Sequence, residues 1–449
     1  MVGLGLAAAM AVAMQSQPAA PEISLADVVR LAIAHSDTLR IATQQLNAAK
    51  ARSGIAAAAS QPHLDATGSA TRFDNKTNAS LGGETIPVVP IHEEALGMRL
   101  SELLDVTGQT AAAVSQARLN TLAAAYDLRS KTEDEVLRAR TAYFTALRAQ
   151  EAVKVAQDAL DAYRQQEKTT TQLFEQGVGI RLDVLRSQSQ VADAERELVQ
   201  RQNELSSAIS ALDDEIGLPL DRPLALSPVA TPAPSASDND LSNRPALIAQ
   251  ALDRRPEMME ATVDVAAARK GIKLAHANAE PIVSVGLSGN YYPTTSFQYI
   301  RHGVAEVDVN VQFAIVDGGL TRSRMREAQA DVDLSLAQQS QVRRAVSLDV
   351  QNAALDAQTA QKRLAAATRS VDAAVSARKL ADQRYAGQVA QYIEVTDAQA
   401  ALTAAEGARV DAYYDLLTAQ ARLSRAMGEP LPDSTSAGSA KGNSLGGTR

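Results

Sequence analysis

Small and apolar residues recur at alternating steps of three and four through Val346, Val350, Ala353, Ala357, Ala360, Leu364, Ala367, Val371 and Ala374. That spacing is the seam of a coiled coil. The same register runs earlier through Ala142, Ala146, Ala149, Val153, Ala156, Leu160 and Tyr163, and alanine at these places lets helices approach closely. No proline interrupts 110–174 or 321–385. At 1.5 Å per residue each run would reach roughly 100 Å, longer than a compact domain uses.

A second period, of two, marks strands. Ser24 is a good helix cap, with Asp27 three residues on and Ile23 placed to staple against Val28, so one helix is expected from there to about Ser60. Pro62 stops it, and Leu64, Ala66, Gly68 and Ala70 then alternate with His63, Asp65, Thr67, Ser69 and Thr71. Asp74 to Pro90 reads as a polar, glycine-bearing loop, after which Leu96, Met98 and Leu100 alternate with Gly97, Arg99 and Ser101. The second half repeats this order. A helix from about Asn243 to Ala279, bent near Pro256, precedes Val283, Val285, Leu287 and Tyr291 alternating with Ser284, Gly286, Ser288 and Asn290. Val307, Val309, Val311 and Phe313 then alternate with Glu306, Asp308, Asn310 and Gln312, the pattern of a transmembrane barrel strand with a watery lumen. A soluble sheet that is polar on one face has the same alternation.

The order repeats because the chain is duplicated. Shifting the numbering by 211 places Gly108 on Gly319, Thr110 on Thr321, Gln188 on Gln399, Glu195 on Glu406, Leu212 on Leu423 and Gly217 on Gly428. The expected organisation is a signal segment over 1–20; a first repeat, 22–220, with strands near 62–72 and 94–103 and a hairpin over 105–216; a linker, 221–242; a second repeat, 243–431, with strands near 281–292 and 303–313 and a hairpin over 317–428; and a disordered tail, 432–449.

Composition narrows the class. With 3 % aromatic residues and no Trp, the 449 residues do not suit several separate globular cores. The net charge of −8, with acidic and basic residues interspersed, argues against nucleic-acid binding. There is no cysteine for a disulfide, a zinc thiolate or a lipid anchor, and the five histidines form no ligand spacing. No nucleophile, phosphate loop or metal cluster stands out, so neither catalysis nor a cofactor is expected. Residues 1–20 read as the apolar core of a secretory signal lacking the usual basic start, with Ala11-Val12-Ala13 as a candidate cleavage site. No later run approaches the roughly 20 apolar residues of a spanning helix, so any membrane segment must be β. Four strands cannot close a barrel: they form a small open sheet, or two chains pool eight, or three chains pool twelve and leave an aqueous passage.

Val316-Asp317-Gly318-Gly319 opens the second long helix, and two related turns run from Phe174-Glu175-Gln176-Gly177-Val178-Gly179-Ile180-Arg181-Leu182 and from Tyr385-Ala386-Gly387-Gln388-Val389-Ala390-Gln391-Tyr392-Ile393. With the duplicated order, these features resemble the TolC-like outer-membrane factor (outer membrane efflux protein) family over roughly residues 22–431. The resemblance implies a mainly α fold with a β-barrel portion: a homotrimer whose twelve-stranded barrel in the Gram-negative outer membrane continues as a twelve-helix periplasmic α-barrel. It implies a passive duct of an efflux pump or type I secretion system, in contact with outer-membrane lipid and working with a periplasmic adaptor and an inner-membrane transporter. Gly177, Val178, Gly179, Leu182, Gly387, Val389 and Ile393 would form the adaptor-docking tip, and Glu394 and Asp397 the pore constriction. One departure concerns shape: the turn glycine of the family matches Gly177, but in the second repeat it falls on Gln388, with Gly387 one place early. The competing class is a non-membrane coiled-coil scaffold, against which the leader and the alternating strands weigh. The cargo is not legible, because the inner-membrane transporter chooses it.

Overall fold

The computed structural model describes residues 22–75, 77–81, 83–89, 91–220, 225–229, 243–277, 279–293 and 302–429. The expected signal segment, most of the linker and the expected tail lie outside the described residues. In chain order the elements are β1 (Glu22–Ile23), α1 (Leu25–His35), α2 (Asp37–Ala58), β2 (His63–Arg72), β3 (Thr77–Leu81), β4 (Glu84–Val89), β5 (His92–Leu104), α3 (Gln109–Glu175), α4 (Arg181–Ile216), β6 (Ala225–Leu226), α5 (Arg244–Arg254), α6 (Pro256–Ala277), β7 (Ile282–Tyr291), β8 (Gly303–Gln312), α7 (Leu320–Ala386) and α8 (Tyr392–Ala426). The chain divides into two compact units. One draws on Met1–Asp37, Thr132–Leu247 and Asp349–Arg449, the other on Thr38–Lys131 and Ile248–Leu348, so α3 and α7 contribute to both.

Three sequence expectations need correction. The single helix from Ser24 to Ser60 is two helices, because Ser36 takes an extended ψ of 118° after closing α1 with its N–H on the Ala32 carbonyl. Asp37 then supplies the acidic first turn that suits a new start. The polar loop of 74–90 contains a hairpin: β3 and β4 pair antiparallel, and Gly83 at φ +94° lies in their turn. The expected bend near Pro256 is a break at Arg255, after which proline occupies the first helical position, where its missing N–H costs nothing.

In the first unit α1 packs on α4, and Val28, Val29, Ala32, Val136, Tyr143, Phe144, Leu212, Ile216 and Leu417 form its core. Ser24 caps α1 by accepting the Asp27 N–H, and its hydroxyl donates to the Asp27 carboxylate. Beside this core β1 pairs parallel with β6, and the buried Tyr143 hydroxyl lies 3.0 Å from the Ile23 carbonyl and 2.6 Å from that of Ser227. One tyrosine thus ties down two short strands from distant parts of the chain. Nearby, the almost fully buried Arg425 pairs with Glu133 and Asp134 at 3.3 and 2.8 Å.

In the second unit one antiparallel sheet has the order β2-β5-β7-β8, which leaves β2 and β8 as its edges. The helices attached to these strands follow the same order. Thr121 on α3 donates to the Ala49 carbonyl of α2, Gln116 on α3 to that of Ala267 on α6, and Gln339 on α7 to the Thr262 hydroxyl of α6. Between α3 and α6 lies a group of carboxyls. Glu257 accepts from Ser130 and Arg255, and Lys131 pairs with Asp127. Burial above all, and then Asp127, Asp264 and Glu257, push the half-buried Glu260 carboxyl up to about 7, with Lys131 opposing.

Because Glu260 holds its proton more tightly in the folded chain than at its ordinary 4.5, its effect on stability falls in one pH window. The folded state is favoured most below 4.5 and loses stability as pH rises toward about 7. Glu260→Gln should therefore melt higher than the parent at pH 8 and equally at pH 4. Thermal denaturation at both pH values, read by circular dichroism, checks this, and equal melting at pH 8 would refute it.

Candidate functional site

The two turns that join the long helices have the same hydrogen-bond closure. In the first, the Gly177 N–H reaches the Phe174 carbonyl and that of Val178 the Leu173 carbonyl; in the second, Gln388 reaches Tyr385 and Val389 reaches Arg384. This is the Schellman closure, which requires a left-handed residue at the position after the cap. Gly177 supplies it at φ +78° and Gln388 at φ +59°. The displaced glycine therefore leaves the second turn's shape intact, with a glutamine carrying the strain, while Gly387 stays outside the positive-φ region. Gly179 serves close approach instead, since a Cβ there would lie 2.9 Å from the Phe174 backbone nitrogen.

These turns expose apolar side chains: Val178, Ile180 and Leu182 in the first, Val389 and Ile393 in the second, with Val389 70 % exposed. Just beyond, α8 buries Tyr392, Val395, Thr396 and Gln399 and leaves Glu394 and Asp397 on its solvent face. Glu394 lies 3.5 Å from Arg384 across its own turn. Asp183, at the corresponding place on α4, is partly withdrawn from water, and burial raises its carboxyl despite the opposing charge of Arg186.

Behind the turns runs a polar network that sequence reasoning missed. The Thr170 and Ser187 hydroxyls meet at 2.9 Å, the Tyr392 hydroxyl donates to Gln190 at 2.9 Å, and Arg378 donates to Gln399 at 2.8 Å. It ties the two hairpins together near their ends. Burial pushes the Tyr392 phenol up to about 12, so this tyrosine stays a neutral donor. The only signal in the sequence is a run of Thr, Ser, Gln and Tyr on faces that would otherwise carry alanine.

The sheet sorts its residues by face. Val283, Val285 and Leu287 stand opposite Val311, Val309 and Val307, with Leu64 opposite Leu100 and Ala66 opposite Met98 farther along. Val307 is 73 % exposed and Val309 65 %. The other face pairs Ser284 with Asn310, Gly286 with Asp308 and Ser288 with Glu306. Two acids interrupt the apolar face, Glu94 opposite Ala70 and Glu102 opposite Val285, near its two ends. Among the described residues no helix is long and apolar enough to cross a membrane, and no cluster of potential metal ligands is present.

Residues 28–218 and 247–429 match the family described as outer membrane efflux protein. The chain belongs to that family. It is 25 % identical over 409 residues to the toluene efflux pump outer membrane protein TtgC of Pseudomonas putida, covering 90 % of this chain and 83 % of that one. It is 25 % identical over 307 residues to the alkaline protease secretion protein AprF of Pseudomonas aeruginosa, covering 66 % and 61 %. The solved outer-membrane channel OprN superposes with a TM-score of 0.75 at 25 % identity, covering 90 % of each chain. This efflux protein thus resides in the outer membrane, has a mostly helical channel fold with a sheet, and is a transport protein, not an enzyme.

The strain at Gln388 is measurable. A non-glycine residue in the left-handed region costs about 1 kcal/mol. No atom within 4 Å crowds Gly177, so its substitution to Ala should cost a similar amount through φ alone. Gln388→Gly should raise the temperature at which the purified protein loses helicity, and Gly177→Ala should lower it. Opposite or null shifts would show that the left-handed residue does not limit either turn.

Proposed function

We propose that three copies assemble into the outer-membrane duct of a tripartite pump, passing cargo handed over by an inner-membrane transporter through a periplasmic adaptor. The observation that carries this is the open sheet in an outer-membrane protein: β2 and β8 each have one unpaired edge. In hydrocarbon every backbone N–H and C=O must be paired, so the strands of several copies have to close a barrel. Twelve strands from three copies leave an aqueous lumen, and the polar face turns inward. The exposed Ile41 and Ile55 on α2 and Leu334, Leu336 and Leu348 on α7, at the two edges of the helical layer, suit the same partner copies. In the assembly each chain contributes two repeats, 22–220 and 243–431, and twelve helices form the periplasmic tunnel. The longer match, to the efflux pump protein TtgC, favours a place in an efflux pump over one in protein secretion.

The apolar turn residues Gly177, Val178, Gly179, Leu182, Gly387, Val389 and Ile393 dock the adaptor, since exposed apolar groups at a hairpin end suit a partner surface. Glu394 and Asp397 face the bore in rings of three and narrow it to a cation-binding constriction.

Two measurements test this. Val309→Arg places a charge on the lipid face at a cost of about 2–4 kcal/mol at the midplane, and should deplete assembled trimer from outer membranes; undiminished trimer there would count against the topology. In planar bilayers, Glu394→Ala and Asp397→Ala should raise single-channel conductance and weaken block by divalent cations. Conductance and block equal to the parent in both variants would remove the two acids from the constriction.

A further inference from the structure

The polar face of the sheet carries one ion pair whose geometry no packing need explains. Arg99 on β5 and Asp308 on β8 are not on neighbouring strands: β7 lies between them. Their side chains nevertheless meet, with Arg99 Nη2 2.9 Å from one carboxylate oxygen and 3.0 Å from the other. Two strand spacings amount to about 9.6 Å, which only a side chain as long as Arg or Lys can bridge. The path runs over Gly286. A Cβ at that position would meet Asp308 Oδ1 and lie 2.8 Å from Arg99 Nη2. Gly97 does the same for its neighbours, since a Cβ there would lie 2.6 Å from Asn290 Oδ1 and 2.8 Å from Thr67 Oγ1. Glycine thus stands where polar side chains of the flanking strands lean together.

The surrounding charge is uneven. On the polar face of the described strands, Arg99 faces Asp65 on β2, while Glu93, Glu306 and Asp308 add further carboxylates, so one guanidinium stands among four acids. As a stability element an exposed pair of this kind is worth little. Its value is its place. In a closed barrel this face lines the lumen, and each copy contributes the same set, so Arg99 recurs as a ring of cations inside a wall of excess negative charge.

We propose that Arg99 is a specificity-determining residue of the barrel lumen, where it offsets the carboxylates of Asp65, Glu306 and Asp308 and thereby sets how strongly the duct prefers cations, independently of any constriction at the helix turns. The inference rests on the duct reading above. Small inorganic ions are its ligands, and anionic cargo feels the same field with the opposite sign. Three like charges at roughly 10 Å from the axis shift the local concentration of each small ion by about twofold to eightfold, in opposite directions for cations and anions, the lower figure after screening by salt.

The test uses the purified full-length protein in planar bilayers under a KCl gradient, with reversal potential giving the permeability ratio of potassium to chloride. Arg99→Gln should raise that ratio, in which the cation and anion shifts multiply, by about fourfold to sixtyfold. Arg99→Lys, which keeps the charge and most of the reach, should leave it unchanged. Glu306→Gln, which removes a carboxylate without touching the pair, should lower it, and it decides the matter alone if Arg99→Gln fails to assemble. Conducting channels with the parent's ratio in Arg99→Gln, or in Glu306→Gln, would overturn the proposal while leaving the duct intact. A parent protein that forms no conducting pore would instead overturn the duct reading, and this inference with it.

Discussion

A sheet that ends in two unpaired edges cannot stand alone in hydrocarbon, and that constraint orders the rest of this protein. A buried, unpaired peptide group costs several kcal/mol in lipid, and two edges of about ten residues carry many. This sheet has four strands, β2, β5, β7 and β8. Its helices keep the strand order, α2 beside α3, α3 beside α6, α6 beside α7, each contact made by a threonine or glutamine side chain. Strand and helix layers therefore have corresponding edges, and whatever partner completes one must complete the other. In the barrel proposed above, the facial sorting of valine against aspartate and asparagine would decide which side meets lipid.

The duplication is preserved more faithfully in backbone than in side chains. Both long helices contain 67 residues and begin 211 positions apart, as do α4 and α8. Each of the four ends with the same closure, carried by Gly177, Gly217, Gln388 and Gly428 at positive φ. Both long helices also start on an aspartate. Asp105 accepts the N–H groups of Thr110 and Ala111, and Asp317 those of Gly319 and Thr321. The Thr321 side chain above all, and then those backbone hydrogen bonds, hold the Asp317 carboxyl down to about 2. Orphan donors and acceptors at helix ends must be satisfied in each copy, so the caps are retained while the exposed faces diverge.

What was legible in the sequence was what depends on local period. Steps of three and four located the long helices, and alternation located β2, β5, β7 and β8 within a residue or two of their ends. The hairpin of β3 and β4 was missed because its polar and glycine residues read as loop chemistry, although Gly83 followed by the β-branched Thr85, Ile86, Val88 and Val89 was there to be weighed. The break at Ser36 was missed because helix periodicity persists across it. Of the turn residues, Gly177 and Gly179 carry backbone roles that glycine announces, whereas Gln388 gives no sign of its left-handed φ. Nor could spacing reveal Tyr143 clasping β1 and β6, Tyr392 reaching Gln190, or Arg99 crossing β7. These are polar contacts across long separations, fixed only when packing chooses which faces meet.

The acids near the second turn show how position and pairing divide a role that sequence assigns jointly. Glu394 and Asp397 share the solvent face of α8, yet Glu394 has a cation at hand in Arg384. Both groups of that pair are nearly half exposed, so the attraction is screened and worth at most about 1 kcal/mol. A contact that weak holds the turn lightly and yields to a better partner. At Asp397 the described residues place no such cation, and its charge faces solvent directly. In the ring of three copies proposed above, Asp397 would add an acid with no such cation beside it, while the share of Glu394 would depend on where Arg384 points. The first repeat has Asp183 and Arg186 at the matching positions, so its hairpin carries no comparable excess. The excess of acid at this end is consequently a property of one repeat and not of the fold the two repeats share.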